Sequence, residues 1–222
     1  MTYRPDSQVK WIVIHYSATP VESDFSAADI DKMHRARGFN EIGYHKYIRK
    51  SGLVEKGRDL DQPGRFEQGA HSKGENGASI GICYEGGVYR SNPNKGMDTR
   101  TPEQIDAMIS VIDDLLDRYP NAKVVGHRDM PGAATQCPGF DATAWWDSVV
   151  EGRKKPRTSA TQSKTVQASA ATIGSAVGTA GAAIGGLDSV AQYIVLGFAG
   201  LIALLALFIM RERLKAWAAG WR

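Results

Sequence analysis

An apolar, uncharged run near the C-terminus limits the folds open to this chain. Between Asp188 and Arg211 lie 22 residues without a charge, SVAQYIVLGFAGLIALLALFIM. A helix rises about 1.5 Å per residue, so this run would span about 33 Å, close to the hydrocarbon core of a bilayer at about 30 Å. Helices in the core of a soluble protein rarely lack charges over such a length. Residues 189–210 are therefore predicted to form a transmembrane helix in contact with a lipid bilayer.

The charges on either side of this run predict its orientation. Four Lys and Arg residues lie in the segment 211–222, whereas the 20 residues before the run carry only Asp188. By the positive-inside rule, 211–222 is a basic cytoplasmic tail and the N-terminal domain lies on the other side of the membrane. The first ten residues, MTYRPDSQVK, lack the apolar stretch of a secretory signal peptide, so we expect no cleaved signal there.

Residues 152–188 have two interpretations. Their Ala, Gly, Ser and Thr content is typical of a flexible linker, which the composition favours. However, residues 165–187 are also uncharged and carry glycines at spacings found where membrane helices pack together. They could form a weak first span of a helical hairpin, and this alternative stays open.

Charge is divided unevenly along the chain. Residues 1–151 hold 18 Lys and Arg against 22 Asp and Glu, and residues 152–222 hold 9 against 2. The basic excess therefore lies outside the folded part, which argues against a nucleic-acid-binding domain. Two cysteines are too few for a disulfide scaffold.

Residues 1–151 show the pattern of one α/β domain. Apolar, β-branched runs predict strands at 9–16, 79–85 and 122–127, and a hairpin is predicted from 43–50 and 53–56 around Ser51 and Gly52. Helices are predicted from a capping box at Ser26 and Asp29 to Gly38, from Thr101 to Tyr119, and after Asp141. The fold class is a mixed central β-sheet flanked by helices, with a strand order that the pattern does not give.

Three side chains of this domain are ligand types that zinc prefers. His15 and His127 each lie at the end of a predicted strand, and Cys137 lies in QCPGF, where Pro138 and Gly139 favour a tight turn. Two imidazoles and a thiolate would leave the fourth position of a tetrahedral zinc ion open, as in catalytic zinc sites. Taken singly, each residue also fits a structural role: a hydrogen-bonded histidine, or a small buried cysteine.

The motifs and their order resemble those of zinc-dependent N-acetylmuramoyl-L-alanine amidases. The matching strings are HYSAT at 15–19, GYH at 43–45, GRD at 57–59, GAHSKGEN at 69–76, SIGICYEGG at 79–87, GHRD at 126–129 and CPGFD at 137–141. The likeness is greatest to the phage lysozyme-amidase branch, which is related to the peptidoglycan recognition proteins. It covers about residues 9–150.

This resemblance implies a site and a reaction. It implies that His15, His127 and Cys137 bind Zn²⁺, that Tyr44 assists catalysis, and that the bond cut joins N-acetylmuramic acid to L-alanine in peptidoglycan. Phage members usually carry Lys where this chain has Thr135, which would offer only a neutral hydrogen bond to the oxyanion. Some relatives place a Glu where this chain has Cys83, so no catalytic Glu is assigned. The proton for the leaving amine would come from water or from Tyr44.

The remaining histidines, cysteines and tryptophans carry weaker expectations. His71 either lines the substrate groove or holds a loop, His45 is structural, and His34 lies on a solvated helix face. Cys83 is a buried strand residue, and both cysteines are reduced because a disulfide would remove a ligand. The side chains of Trp145 and Trp146 belong to the core.

The expected protein is a membrane-tethered phage endolysin or a bacterial relative. It would lie in the inner membrane of the host cell as a single-pass protein, with the zinc domain 1–151 on the periplasmic side. Its partners would be peptidoglycan and, through the C-terminal helix, the lipid bilayer; the oligomeric state is not predicted. One alternative is a non-catalytic peptidoglycan-binding or regulatory module, which Thr135 keeps open. Another is a tail that disrupts membranes.

Overall fold

The structure is a computed structural model that describes residues 2–154, 188, 190, 193–194, 197–198, 200–202, 204–205, 207–209 and 211. The chain divides into two compact units, Met1–Gly152 and Arg153–Arg222.

The second unit is described only in part. Its described residues between 190 and 211 are helical, and their side chains are exposed. Within the described part of the chain, no helix has the length and apolar character needed to cross a membrane. The predicted linker or weak first span and the basic tail lie almost entirely outside the described residues, and the predicted span 189–210 lies partly outside them.

Three α-helices flank the sheet of the first unit: α1 (Ala27–Ala36), α2 (Pro102–Arg118) and α3 (Ala142–Lys154). The predicted capping box is present at the start of α1, between Ser26 and Asp29, and a second box forms at the start of α2, between Thr101 and Gln104. In each box the side chains of the two residues satisfy backbone N–H groups that the first helical turn leaves without a partner.

A five-stranded sheet forms the centre of the domain. Its strands are β2 (Trp11–Tyr16), β4 (Lys46–Ile48), β5 (Val54–Lys56), β7 (Ser79–Tyr84) and β9 (Lys123–Gly126), in the order β5-β4-β7-β2-β9. The β4–β5 hairpin is antiparallel, and the other neighbours are parallel. The predicted mixed α/β sheet and its hairpin are therefore confirmed.

Four short strands form two smaller sheets. β1 (Tyr3–Pro5) pairs antiparallel with β6 (Arg65–Glu67), and β3 (Thr19–Pro20) pairs in parallel with β8 (Gly87–Val88). Their lengths of two or three residues give no alternating pattern, which is why the sequence did not indicate them.

The two faces of the central sheet have different partners. Ile12 and Ile14 of β2 lie in a core cluster with Met108 and Ile112 of α2 and with Trp146 of α3. The opposite face packs against α1 through a second cluster of buried residues, which contains Ala27, Ile30, Ile42, Tyr47 and Cys83. Because side chains alternate along a strand, the odd-numbered residues of β2 face the α1 side. His15 is one of them.

Candidate metal centre

The register of two parallel strands places His15 beside His127. β2 and β9 pair in parallel with Ile14 opposite Gly126. His15 and His127, which follow these two residues, therefore lie at the same edge of the sheet. The two imidazole rings have their centroids 4.6 Å apart. Neighbouring strand ends thus supply two of the three predicted ligands.

The third predicted ligand, Cys137, is held against β2 by the loop that follows β9. The N–H of Tyr16 donates to Cys137 Sγ over 3.3 Å, and the N–H of Arg128 donates to the Cys137 carbonyl over 2.8 Å. Gly139 turns the chain with a φ of +89°, and a Cβ there would collide with the carbonyl oxygen of Met97. This turn needs glycine because other residues rarely adopt that φ.

These three residues fit a zinc ion. Their ligand atoms all lie within 4.8 Å of one another, and Cys137 Sγ is 3.8 Å from His15 Nδ1. Tetrahedral zinc, with bonds of about 2.05 Å to nitrogen and about 2.3 Å to sulfur, needs a separation of about 3.6 Å between those atoms. The distance present is therefore close to the one required.

The protonation of the ligands also suits a metal. Burial lowers the pKa of both His15 and His127, so each ring is neutral near pH 7 and offers a lone pair. Burial raises the pKa of the Cys137 thiol to about 12. Binding of a metal would displace that thiol proton.

Tyr44 lies beside this cluster. Its ring centroid is 5.2 Å from that of His15, and the ring packs against the buried cluster that contains Cys83. Burial raises the pKa of Tyr44 well above its usual value, so the side chain keeps its proton. The group can donate a hydrogen bond but cannot act as a base near neutral pH.

Thr135 lies at the exposed rim of the cluster. Its Oγ1 accepts a hydrogen bond from the Cys137 N–H over 3.1 Å, which leaves the hydroxyl hydrogen available to donate. A cation is also present: Arg128 donates to the Gln136 carbonyl over 2.6 Å, and its charge partly offsets the effect of burial on the Cys137 pKa.

Comparison with known proteins decides the family. A family model described as N-acetylmuramoyl-L-alanine amidase matches residues 5–140, which include all three candidate ligands. The chain belongs to this amidase family. The endolysin of Klebsiella phage KP32 is 36% identical over 137 residues, 61% of this chain and 84% of that protein. The endolysin of Escherichia phage T7 is 34% identical over 136 residues, with the same shares covered.

Solved structures agree with this amidase fold. The endolysin N-acetylmuramoyl-L-alanine amidase LysCS of Clostridium intestinale superposes with a TM-score of 0.53 at 26% identity, over 68% of this chain and 89% of that one. The bumblebee peptidoglycan recognition protein PGRP-SA superposes with a TM-score of 0.53 at 22% identity, over 68% and 87% of the two chains. This second likeness concerns the fold alone.

His71 lies behind the candidate metal centre. It is buried, and its Nδ1 is 3.1 Å from Nε2 of His15. Its backbone N–H donates to Asn76 Oδ1 over 2.9 Å, which ties it to the loop before β7. The sequence left open whether His71 lines the substrate groove or holds a loop, and the contact with the loop is present. The contact of its ring with His15 is an additional finding.

The prediction for His34 was wrong, and that for His45 is confirmed. His34 is buried, and its Nδ1 accepts the Gly43 N–H over 2.9 Å. The charged neighbours of His34 in sequence lie on other faces of the helix, which misled the sequence-based interpretation. His45 is fully buried: its Nδ1 accepts the Gly81 N–H over 2.9 Å, and its Nε2 lies 2.8 Å from the Glu67 carbonyl.

The pKa of His45 gives a prediction for acid stability. Burial lowers it from 6.5 to about 4 in the folded protein. Between these values the unfolded chain binds a proton that the folded chain does not, so stability falls as the pH falls from about 6.5 to about 4. The loss from this group is at most about 3 kcal/mol.

Urea unfolding with a chelator present, at several pH values, measures this loss. His45→Asn keeps an acceptor near the Nδ1 position but cannot titrate, so its stability should vary less over the same pH range. Equal pH dependence in the two proteins would contradict the assignment to His45.

A buried ion-pair cluster, which no local pattern indicated, surrounds Arg58 of the GRD motif. Arg58 Nη1 lies 3.1 Å from Glu67 Oε1 and 3.2 Å from Glu41 Oε1, and Nε donates to the Ile42 carbonyl over 2.7 Å. The remaining oxygen of Glu67 accepts the Asp59 N–H over 3.0 Å. Only the GRD motif could have pointed to this cluster, because an arginine between Gly57 and Asp59 otherwise looks like an exposed residue.

The cysteine and tryptophan predictions are confirmed. Cys83 and Cys137 are both free and buried. Trp146 is buried in the core, and Trp145 packs against that core while half-buried. The guanidinium carbon of Arg100 lies 4.6 Å from the centre of the Trp145 ring.

Proposed function

We propose that this chain is a zinc-dependent hydrolase that cuts the amide between N-acetylmuramic acid and L-alanine in peptidoglycan, as a phage endolysin. The observation that carries the proposal is the convergence of His15, His127 and Cys137 in a domain of the amidase family. Further support comes from the phage relatives, which are endolysins.

The residues around the cluster have separate tasks in this reaction. Zinc would act as a Lewis acid on the scissile carbonyl and would lower the pKa of water. The Tyr44 hydroxyl, which stays protonated, donates a hydrogen bond to the developing oxyanion, and the Thr135 hydroxyl supplies a second, neutral one. Of the two proton sources that the sequence left open, Tyr44 is disfavoured because its raised pKa keeps the proton on the hydroxyl, so the leaving amine takes its proton from water.

The decisive experiment identifies the products. The full chain is incubated with intact murein, and the released fragments are identified by mass, with and without a zinc chelator. Stem peptides that begin at L-alanine, lost on chelation and restored by added zinc, support the proposal. Murein that is bound without new amine ends would instead favour the non-catalytic binding module, which the neutral Thr135 would then explain.

Tyr44→Phe tests the assigned donor. It keeps the ring that contacts His15 and removes only the hydroxyl. We expect kcat to fall about 100-fold while zinc content is unchanged, since one oxyanion donor is worth about that factor or more. Tyr89→Phe is the matched control, because Tyr89 is an exposed tyrosine that directly follows β8. Full activity of Tyr44→Phe would remove Tyr44 from the reaction.

We also propose that the segment 189–210 tethers the enzyme to the host inner membrane, with the zinc domain on the periplasmic side. Support comes from its 22 uncharged residues and the basic residues that follow. The described helical residues of this run include large exposed apolar side chains, among them Tyr193, Phe198 and Leu201.

Fractionation of cells that express the full chain tests the tether. We expect the chain to stay in the membrane pellet after alkaline extraction, whereas a chain that stops at residue 188 should be released. In spheroplasts, external protease should digest residues 1–151 and spare the tail 211–222. A full chain recovered in the soluble fraction would rule out the tether.

A further inference from the structure

A chain of hydrogen bonds runs from the metal centre into the domain. His15 Nε2 lies 3.1 Å from His71 Nδ1, and His71 Nε2 lies 3.5 Å from Ser79 Oγ. The Ser79 hydroxyl donates to the Glu75 carbonyl over 2.8 Å. This series of hydrogen bonds therefore ends at a carbonyl oxygen, which can only accept a hydrogen bond.

Because the series ends at an acceptor, the position of each proton along the hydrogen bonds follows from it. The Ser79 hydroxyl uses its one hydrogen in the bond to the Glu75 carbonyl, so toward His71 it can act only as an acceptor. His71 then carries its proton on Nε2 and presents a lone pair on Nδ1. His15 must donate from Nε2, which leaves its Nδ1 without a proton. That Nδ1 is the atom that lies 3.8 Å from Cys137 Sγ.

The position of the His71 ring is itself fixed by packing. A Cβ added at Gly69 or at Gly81 would lie 2.7 Å from the ring carbon Cδ2 of His71, so both glycines make room for the imidazole. The loop that carries His71 is closed by Asn76 Oδ1, which accepts the N–H groups of His71 and Ser72. The ring has little freedom to leave its place beside His15.

We propose that His71, oriented by Ser79 and the Glu75 carbonyl, is a positioning residue that holds His15 in the tautomer with its proton on Nε2. Nδ1 of His15 then faces Cys137 as a lone pair ready for the metal. This inference rests on the proposed zinc site and adds a residue to it. A ligand histidine whose other nitrogen is held in this way binds metal more tightly, typically by about 10- to 100-fold.

Two variants of similar shape separate hydrogen bonding from packing. His71→Asn keeps an acceptor near the position of Nδ1, whereas His71→Leu fills similar space without one. The affinity of the full chain for zinc is measured by competition with a chromogenic chelator. We expect His71→Leu to bind zinc about 10- to 100-fold more weakly and His71→Asn to stay within about threefold of the unmodified protein. Equal affinities in the two variants would overturn the proposal.

A second measurement needs no variant. Long-range proton–nitrogen NMR of the metal-free chain reports which nitrogen of His15 carries the proton near pH 7. We expect the proton on Nε2, and a mixture of tautomers in Ser79→Ala. A proton on Nδ1 in the unmodified chain would overturn the proposal, whatever the variants do.

The outcomes also separate this inference from the proposed function. A chain that shows the expected tautomer and affinities but releases no stem peptides from murein would refute the amidase proposal and leave the role of His71 in place. If the unmodified protein cuts murein while His71→Leu binds zinc normally, the amidase proposal is supported and the role of His71 is refuted.

Discussion

Replacing His127 or Cys137 with alanine is expected to remove both bound zinc and amidase activity. Each variant leaves two of the three clustered ligand atoms, too few for a stable zinc site of the catalytic type. The metal supplies several kcal/mol of transition-state stabilisation. A loss of about 4 kcal/mol corresponds to a rate about 10³-fold lower, which is the smallest decrease we expect in kcat/KM on murein.

Metal analysis of the purified variants, alongside the murein assay, checks this result. His34→Asn is the matched control, since His34 is a buried histidine near Tyr44 that is not among the clustered ligands. Asparagine keeps an acceptor for the Gly43 N–H, so zinc content should be unchanged. If Cys137→Ala retains a full equivalent of zinc and its activity, the assigned ligand set is wrong.

The second large effect is expected on stability. Arg58→Leu removes the cation that faces two carboxylates and leaves Glu67, which is 2% exposed, without its ion-pair partner. Breaking a buried pair on one side costs about 3–5 kcal/mol because the remaining charge stays buried. For a domain of this size, each kcal/mol lowers Tm by about 2–4 °C, so we expect a decrease of about 6–20 °C.

Thermal unfolding followed by circular dichroism measures this decrease. Arg35→Ala is the control, because its ion pair with Asp31 lies on the surface and is worth about 0.5 kcal/mol or less. Adding Glu67→Gln to Arg58→Leu should recover part of the loss, since the second change removes the unpaired charge. A Tm for Arg58→Leu within about 2 °C of the unmodified protein would show that the cluster is not stabilising.

Local signals in the sequence predicted local structure. The boxes at Ser26 and Thr101 start helices where expected, because a cap depends only on residues three positions apart. The hairpin around Gly52 forms with that glycine at a φ of +82°, a conformation that glycine adopts readily. The predicted strands β2 and β7 form, and both are buried on both faces, as is usual for strands with a parallel neighbour on each side.

Contacts between distant segments followed from no local signal. The sequence placed His15 and His127 at strand ends, but only the parallel register of β2 and β9 makes them neighbours. The buried position of His34 and the hydrogen bond of His71 to His15 also depend on how loops pack against α1 and β7. Pattern and propensity describe a segment by itself, and they carry no information about which other segment lies against it.

By itself, the sequence therefore determined the helices, the buried strands and, through the order of its motifs, the resemblance to the amidases. The tertiary structure alone decided three things: the strand order, the distance of 3.8 Å between Cys137 Sγ and His15 Nδ1, and the hydrogen-bond chain that sets the His15 tautomer. The physical reason is that caps, turns and strand propensity act over a few residues. The metal centre depends on atoms from positions 122 residues apart, and the proton arrangement on atoms from positions 56 residues apart.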